Sequence, residues 1–340
     1  MNKYLLILLL FLSSKFSQAQ LPVLPDTIFN FIKEHSIHRN TINWSTVYDG
    51  FKERLFAAKT IKDTMKSLVY VFEQLNDVHS QMYLDNQYYG HYKVYDDSVL
   101  KKLNPIVNRS KQQNGTIITA FLKNKYVYVL VPGIFAQGNA INEYAQLISD
   151  SICRYNKQKV KGFIIDLRLN SGGQLSSMIS GLNLLLGNNY LGGSVDVSNT
   201  ENRKFELKNN NFYIGNAQTT SIVNKCKYDH SKTPVVVLIG PATVSSGSIT
   251  AIAFKQRPNT YFIGEPTADG YTTGNNYFFF GNNFMMNLAT EFNQDRLHNI
   301  YKNSVLPDKL IKAGDNFDNL SNDEKIRAAL LWLAKVNPLK

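Results

Sequence analysis

The sequence predicts an α/β fold with a mainly parallel sheet, plus a small helical domain on its N-terminal side. Three observations carry this expectation. Two short apolar runs, Phe163-Ile164-Ile165 ahead of Asp166 and Val235-Val236-Val237-Leu238-Ile239, have the length of buried strands. Each runs into a turn of small residues, Asn170-Ser171-Gly172-Gly173 or Gly240-Pro241-Ala242-Thr243-Val244-Ser245, and then into a helical stretch. Between 116 and 263 strand-like and helix-like stretches alternate, which implies right-handed crossovers between parallel strands.

At the start of the chain, Lys3, an unbroken apolar stretch over 4–12 and Ser17-Gln18-Ala19 match a secretory signal peptide at 1–19. A secreted or periplasmic, cell-envelope protein is expected. The stretch is short for a membrane span, and if uncleaved it would anchor the chain at a membrane surface. Residues 20–84 read as a helical domain: Met65, Leu68, Val69, Phe72 and Leu75 share one face, with Phe51, Leu55 and Phe56 in a helix before it. Residues 85–115 are polar and rich in tyrosine, without a clear period, and read as an irregular connection or cap.

The core is expected over 116–340. A hairpin at 116–122 and 126–131 turns through Lys123-Asn124-Lys125, and Ile141, Ala145, Ile148 and Ile152 mark the helix after it. Then come a strand at 163–167, a helix at 175–186, a strand at 235–239, a helix at 246–255 and a strand at 261–263. The polar excursion 191–232, where Phe205 and Leu207 alternate with polar residues, reads as an inserted hairpin. Strand-like runs at 277–280 and 284–288 precede a closing helix at 322–335, with Ile326, Ala329, Leu330 and Leu333 inward.

Hydrophobic residues make up 44% of the chain, which is the composition of a globular protein and excludes a disordered one. The net charge of +11 favours anionic partners, but the basic residues are dispersed and do not alternate with aromatics, so nucleic acid is not an expected partner. Cys153 and Cys226, the only cysteines, exclude a disulfide framework and a cysteine metal site; an oxidising compartment would permit one bridge between them. The six histidines include no pair four apart around a glutamate, and His35 and His38 read as solvated loop residues. Neither a metal nor another cofactor is expected.

Ser245 falls where a buried strand gives way to a helix, so its hydroxyl would sit at the positive end of the helix dipole with the Ser246 N–H beside it. That suits a nucleophile and its oxyanion. It equally suits a helix N-cap, and Ser246 and Ser248 compete for either task. Gly172 and Gly173 would let backbone N–H groups approach a ligand closely, or would simply make a strand-to-helix turn. A serine nucleophile needs a base, and His79 ends the most amphipathic stretch of the N-terminal region, where a histidine also suits the helix dipole. Asp77 and Ser80 could orient its ring and are equally ordinary helix-end residues.

Taken together, Asp77-Val78-His79-Ser80, the run from Ile165 through Asn170-Ser171-Gly172-Gly173, Thr243-Val244-Ser245-Ser246, Gly264-Glu265-Pro266-Thr267 and Val305-Leu306-Pro307-Asp308 resemble the C-terminal processing (tail-specific) serine protease family. The resemblance implies a core of the ClpP/crotonase type with Ser245 as nucleophile. The branch with a lysine base is not supported, since Gly270 stands at the lysine position. The resemblance is to the histidine-using branch, with His79 as the base, and Gly270-Tyr271-Thr272-Thr273-Gly274-Asn275 and Asp295-Arg296 fit it. Gly247-Ser248 stand near where the family carries a glutamate, and 85–115 is too short for a PDZ module. The resemblance implies an oxyanion hole from Gly172 or Gly173 with Ser246, and leaves Asp77, Glu265 and Asp295 as candidates to orient His79.

The expected function is therefore a serine endopeptidase acting on a peptide or protein substrate through a Ser-His dyad or triad without metal. The alternatives are a noncatalytic ligand- or peptide-binding protein on the same fold and a resistance factor that cleaves one antimicrobial peptide.

Overall fold

The computed structural model describes residues 23–113, 115–155, 160–223, 225–226 and 228–336. The expected signal peptide lies outside these residues. Numbered along the chain, the helices are α1 (Pro25–His35), α2 (Trp44–Ala57), α3 (Ile61–Gln74), α4 (Asp97–Gln113), α5 (Ala140–Cys153), α6 (Leu175–Gly181), α7 (Asn183–Leu186), α8 (Ser246–Phe254) and α9 (Glu324–Val336). One sheet is built from β1 (Gln81–Leu84), β2 (Gln87–Gly90), β6 (Tyr190–Val195), β7 (Glu201–Lys208), β8 (Asn211–Ile214), β9 (Ala217–Gln218), β12 (Thr273–Phe279), β13 (Phe284–Gln294) and β14 (Ile300–Tyr301). The other contains β3 (Ile118–Leu122), β4 (Tyr126–Leu130), β5 (Gly162–Asp166), β10 (Val235–Ile239), β11 (Thr260–Gly264) and β15 (Lys309–Leu310).

The helices start where the local chemistry directs. Pro25 opens α1, the Asn43 side chain accepts the Ser45 and Thr46 N–H groups ahead of α2, and Thr60 and Asp63 form a reciprocal capping box on α3. Their apolar faces, Ile28, Phe29, Ile32, Phe51, Leu68 and Phe72, close a core together with Phe284, Met286 and Leu288 of β13, more than two hundred residues onward. The N-terminal helices thus rest on a strand from the far end of the chain.

The six-stranded sheet runs in the order β15-β11-β10-β5-β4-β3 and is parallel throughout except for the β3–β4 hairpin. β5 and β10 are buried along their whole length because helices cover both faces: α5, α6 and α8 on one, α9 on the other. Two turns, one after β5 and one after β10, leave the carboxyl ends of these neighbouring parallel strands on the same side of the sheet.

The nine-stranded antiparallel sheet was not expected, and the fold is mixed α/β rather than one parallel sheet with helices. The excursion 191–232 contributes not one hairpin but the meander β6-β7-β8-β9, which joins β13 through β6. The Cys153–Cys226 disulfide pins the chain after this meander to the end of α5. The stretch 85–115, expected to be irregular, carries the hairpin strand β2 and the 17-residue helix α4. Pro105 inside α4 and its many polar residues conceal the helical period.

Candidate active site

His79 is delivered by the end of α3. Asn76, at φ 50°, closes the helix in a left-handed turn in which Asp77 N–H reaches Phe72 C=O at 2.9 Å and Asn76 N–H reaches Glu73 C=O at 3.0 Å. The buried Asp77 carboxylate then accepts the N–H groups of His79 at 3.0 Å and Ser80 at 2.9 Å. Ser80 Oγ donates to Asp77 and accepts the Ala289 N–H of β13 at 2.8 Å, so the short segment bearing His79 is fastened to the antiparallel sheet.

Ser245 is delivered by the turn after β10. Thr243 Oγ1 donates to Leu167 C=O at 2.8 Å, and Val244 N–H donates to Asn170 C=O at 2.9 Å, which ties this turn to the one after β5. Ser245 itself sits at φ 54°, ψ −122°, a conformation that costs a non-glycine residue about 1–3 kcal/mol and that its side chain does not relieve by capping α8. The hydroxyl is thus not used to cap α8.

The two arms meet. His79 Nε2 is 3.0 Å from Ser245 Oγ, and His79 Nδ1 is 2.7 Å from Thr273 Oγ1 on β12. Thr273 Oγ1 donates to Asn275 Oδ1 at 2.9 Å, and Asn275 Nδ2 donates to His79 C=O at 3.0 Å. This closed circuit has one consistent proton arrangement. The Asn275 amide is oriented by the His79 carbonyl, the Thr273 proton points to Asn275, and the Thr273 oxygen accepts the Nδ1–H. The Nε2 lone pair is left facing the serine hydroxyl. Burial pushes the imidazole pKa down to about 4, and the nearby Asp77 carboxylate opposes this only in part, so the ring is neutral near pH 7.

Gly172 and Gly173 both adopt positive φ, and their turn lies against Ser245 and Ser246; a Cβ on Gly172 would stand 2.8 Å from Ser245 Cβ. The Gly172 N–H is already donated to Asn170 Oδ1 at 3.0 Å, which removes it from the expected oxyanion donors. Gly173 N–H and Ser246 N–H have no hydrogen-bond acceptor among the described residues. Ser246 Oγ donates to Gly173 C=O at 2.6 Å and ties the glycine turn to the head of α8.

None of the three carboxylates expected to orient His79 touches its ring. Asp77 binds backbone N–H groups below it. Glu265 pairs with Lys325 at 3.3 Å, and Asp295 is occupied by Asn299 and the Tyr301 hydroxyl. Thr273 and Asn275 stand in their place, and in the sequence they were legible only as two residues of a matching run. Two departures from the family pattern have a steric basis. Gly270 is at φ 82° with a Cβ position 2.8 Å from Val78 Cγ2, unsuited to a lysine, and a Cβ on Gly247 would meet Asn170 C=O and Oδ1 at 2.6 Å.

Among the described residues, no group of three or more His, Cys, Asp or Glu is placed to hold a metal ion, and no helix is long and apolar enough to cross a membrane.

The family model described as peptidase family S41 matches residues 125–310, more than half of the chain. The nisin-resistance protein of Lactococcus lactis subsp. lactis is 33% identical over 190 residues, 56% of this chain and 57% of that protein. The carboxy-terminal processing protease CtpA of Bacillus subtilis is 26% identical over 215 residues, 57% of this chain and 42% of that protein. The chain thus matches only about half the length of these relatives. A lipoprotein structure from Streptococcus agalactiae superposes with a TM-score of 0.67 at 19% identity, covering 99% of this chain and all of that one, which extends the likeness of fold over the N-terminal helices.

Proposed function

This chain belongs to peptidase family S41, and on that premise we propose that it is a serine endopeptidase in which Ser245 is the nucleophile and His79 the base. The observation that carries the reading is the 3.0 Å contact of His79 Nε2 with Ser245 Oγ, beside two backbone N–H groups without acceptors. As Ser245 Oγ forms its bond to the substrate carbonyl carbon, His79 Nε2 takes the hydroxyl proton. The carbonyl oxygen, now carrying the negative charge, is received by Gly173 N–H and Ser246 N–H. The imidazolium returns its proton to the departing amine as the C–N bond breaks, and a water repeats the sequence on the acyl-enzyme. Thr273 holds the ring by its Nδ1–H throughout, as the third member in place of a carboxylate.

In this reading the six-stranded sheet with α5, α6, α8 and α9 is the ClpP/crotonase-like core, and residues 85–115 form a cap over its cleft. A peptide substrate accords with the names of the relatives, one a carboxy-terminal processing protease and one a nisin-resistance protein. The protein acts in the cell envelope or outside it, a placement supported by the expected signal peptide and by a structural neighbour described as a lipoprotein. A purely ligand-binding role would leave the His79–Thr273–Asn275 circuit without a use.

The reading is tested by mass-spectrometric analysis of an unstructured peptide mixture incubated with the protein and, in parallel, with Ser245→Ala. Cleavage by the unsubstituted protein alone is expected. Equal cleavage by both would refute the assignment of Ser245.

A further inference from the structure

Next to Ser245 a cavity of about 490 Å³ opens between α4 and the turns after β5 and β10. Its walls are largely apolar: Leu103 and Val107 from α4, Phe135, Ala242, Val244 and Tyr271. It borders the reaction centre through neighbours of the site residues rather than through Ser245 or His79 themselves. Val244 precedes the serine, Ser171 precedes Gly172, and the Tyr271 ring stands 5.1 Å from the His79 ring. The polar groups in it are few. Ser110 Oγ is spent on Leu169 C=O at 2.7 Å, and Lys111, exposed where α4 ends, has no ion pair among the described residues.

Resting on the peptidase reading above, we propose that this cavity receives the side chain of a large apolar residue, leucine, methionine or phenylalanine, directly beside the bond that Ser245 attacks. The half-buried side chain of Val107 bounds it from the α4 side and limits the size of what enters. Alanine would leave the apolar walls wet, and aspartate would surrender much of its hydration to apolar walls, with Lys111 only at the exposed end of α4 to answer its charge. Lysine would in addition meet the Lys111 ammonium near the mouth. Leucine in place of alanine at this position is worth about tenfold to a hundredfold in kcat/KM. Exposed Phe135, at 73% of its full accessibility, marks where the occupant enters.

The test uses fluorescein-labelled unstructured decapeptides that differ only in one central residue: leucine, phenylalanine, alanine, aspartate or lysine. Cleavage by the protein and binding to Ser245→Ala by fluorescence anisotropy are measured side by side, then repeated in Val107→Trp and in Lys111→Glu. Cleavage next to leucine and phenylalanine, the same order in binding, and a leucine-to-alanine ratio reduced at least tenfold in Val107→Trp are expected. Lys111→Glu, a substitution on the exposed rim that does not threaten folding, should raise the lysine-to-aspartate ratio severalfold. Cleavage that treats leucine and alanine alike, or a ratio unmoved in Val107→Trp and in Lys111→Glu, overturns the pocket and leaves the peptidase reading standing. Leucine-selective binding without cleavage by the unsubstituted protein overturns the peptidase reading, and with it the placement of this residue beside a scissile bond.

Discussion

The Nδ1 atom of His79 lies 2.7 Å from the hydroxyl oxygen of Thr273, which in turn donates to Asn275 Oδ1 at 2.9 Å. A neutral acceptor in this position orients the ring and selects its tautomer, but adds no negative charge to stabilise the imidazolium. Thr273→Val removes the acceptor and keeps the shape. It is expected to lower kcat about tenfold to a hundredfold with KM nearly unchanged, the loss of one buried hydrogen bond of about 1–3 kcal/mol. Thr273→Ser should restore most of the rate. Equal loss in both variants, measured by steady-state cleavage of one peptide, would assign Thr273 a purely structural role.

The pH profile follows from the same ring. Its pKa is pushed from 6.5 to about 4 by burial, and the neutral form is the one that accepts the serine proton. The acid limb of kcat/KM, which reports the free protein, is therefore expected near pH 4. Between pH 6.5 and 4 the unfolded chain binds a proton that the folded chain refuses, so stability falls as pH falls through this window. His79→Gln should flatten that part of the stability curve. A limb at 6.5 would mean that the ring is solvated in the working protein.

Gly247 is expected to tolerate no side chain. A Cβ there reaches 2.6 Å from both Asn170 oxygens, the groups that accept Val244 N–H and Gly172 N–H. Gly247→Ala should separate the two turns, with overpacking of about 1–3 kcal/mol and a fall in cleavage of at least tenfold. Thermal unfolding and peptide cleavage on the same preparation measure both.

Under the turn after β5 lies a buried charge cluster. Arg168, 2% exposed, meets Asp166 at 2.6 Å, Asp315 at 2.5 Å and Asp323 at 2.8 Å, and Lys325 joins through Asp315 at 2.7 Å. Burial by itself would raise the Asp315 pKa, but Arg168 and Lys325 hold it below the usual value, so this contribution is present above about pH 4 and lost as pH falls through the lowered value. Arg168→Leu leaves Asp166 and Asp323 without their cation, Asp315 keeping Lys325, and is expected to cost about 3–5 kcal/mol in denaturant unfolding. A loss below 1 kcal/mol would show that the carboxylates find water or protons instead.

How much of this was legible in the sequence follows the range of each interaction. The strands β5 and β10, the turns that follow them and the helix α8 are written in consecutive residues, because apolar runs and small-residue turns are local signals. Ser245 and His79 could be singled out for the same reason, each at the end of a strong local element. The antiparallel sheet could not, since β13 draws partners from β1 and β6, far earlier in the chain, and pairing across such separations leaves no local period. Long-range contacts also decided which candidates remain in the site. The Asn170 side chain takes Gly172 N–H out of the oxyanion donors, and β12 sets Thr273, not Asp77, Glu265 or Asp295, against the histidine. Residue type proposes which groups have the right chemistry, whereas only the packed chain determines which of them already have a hydrogen-bond partner.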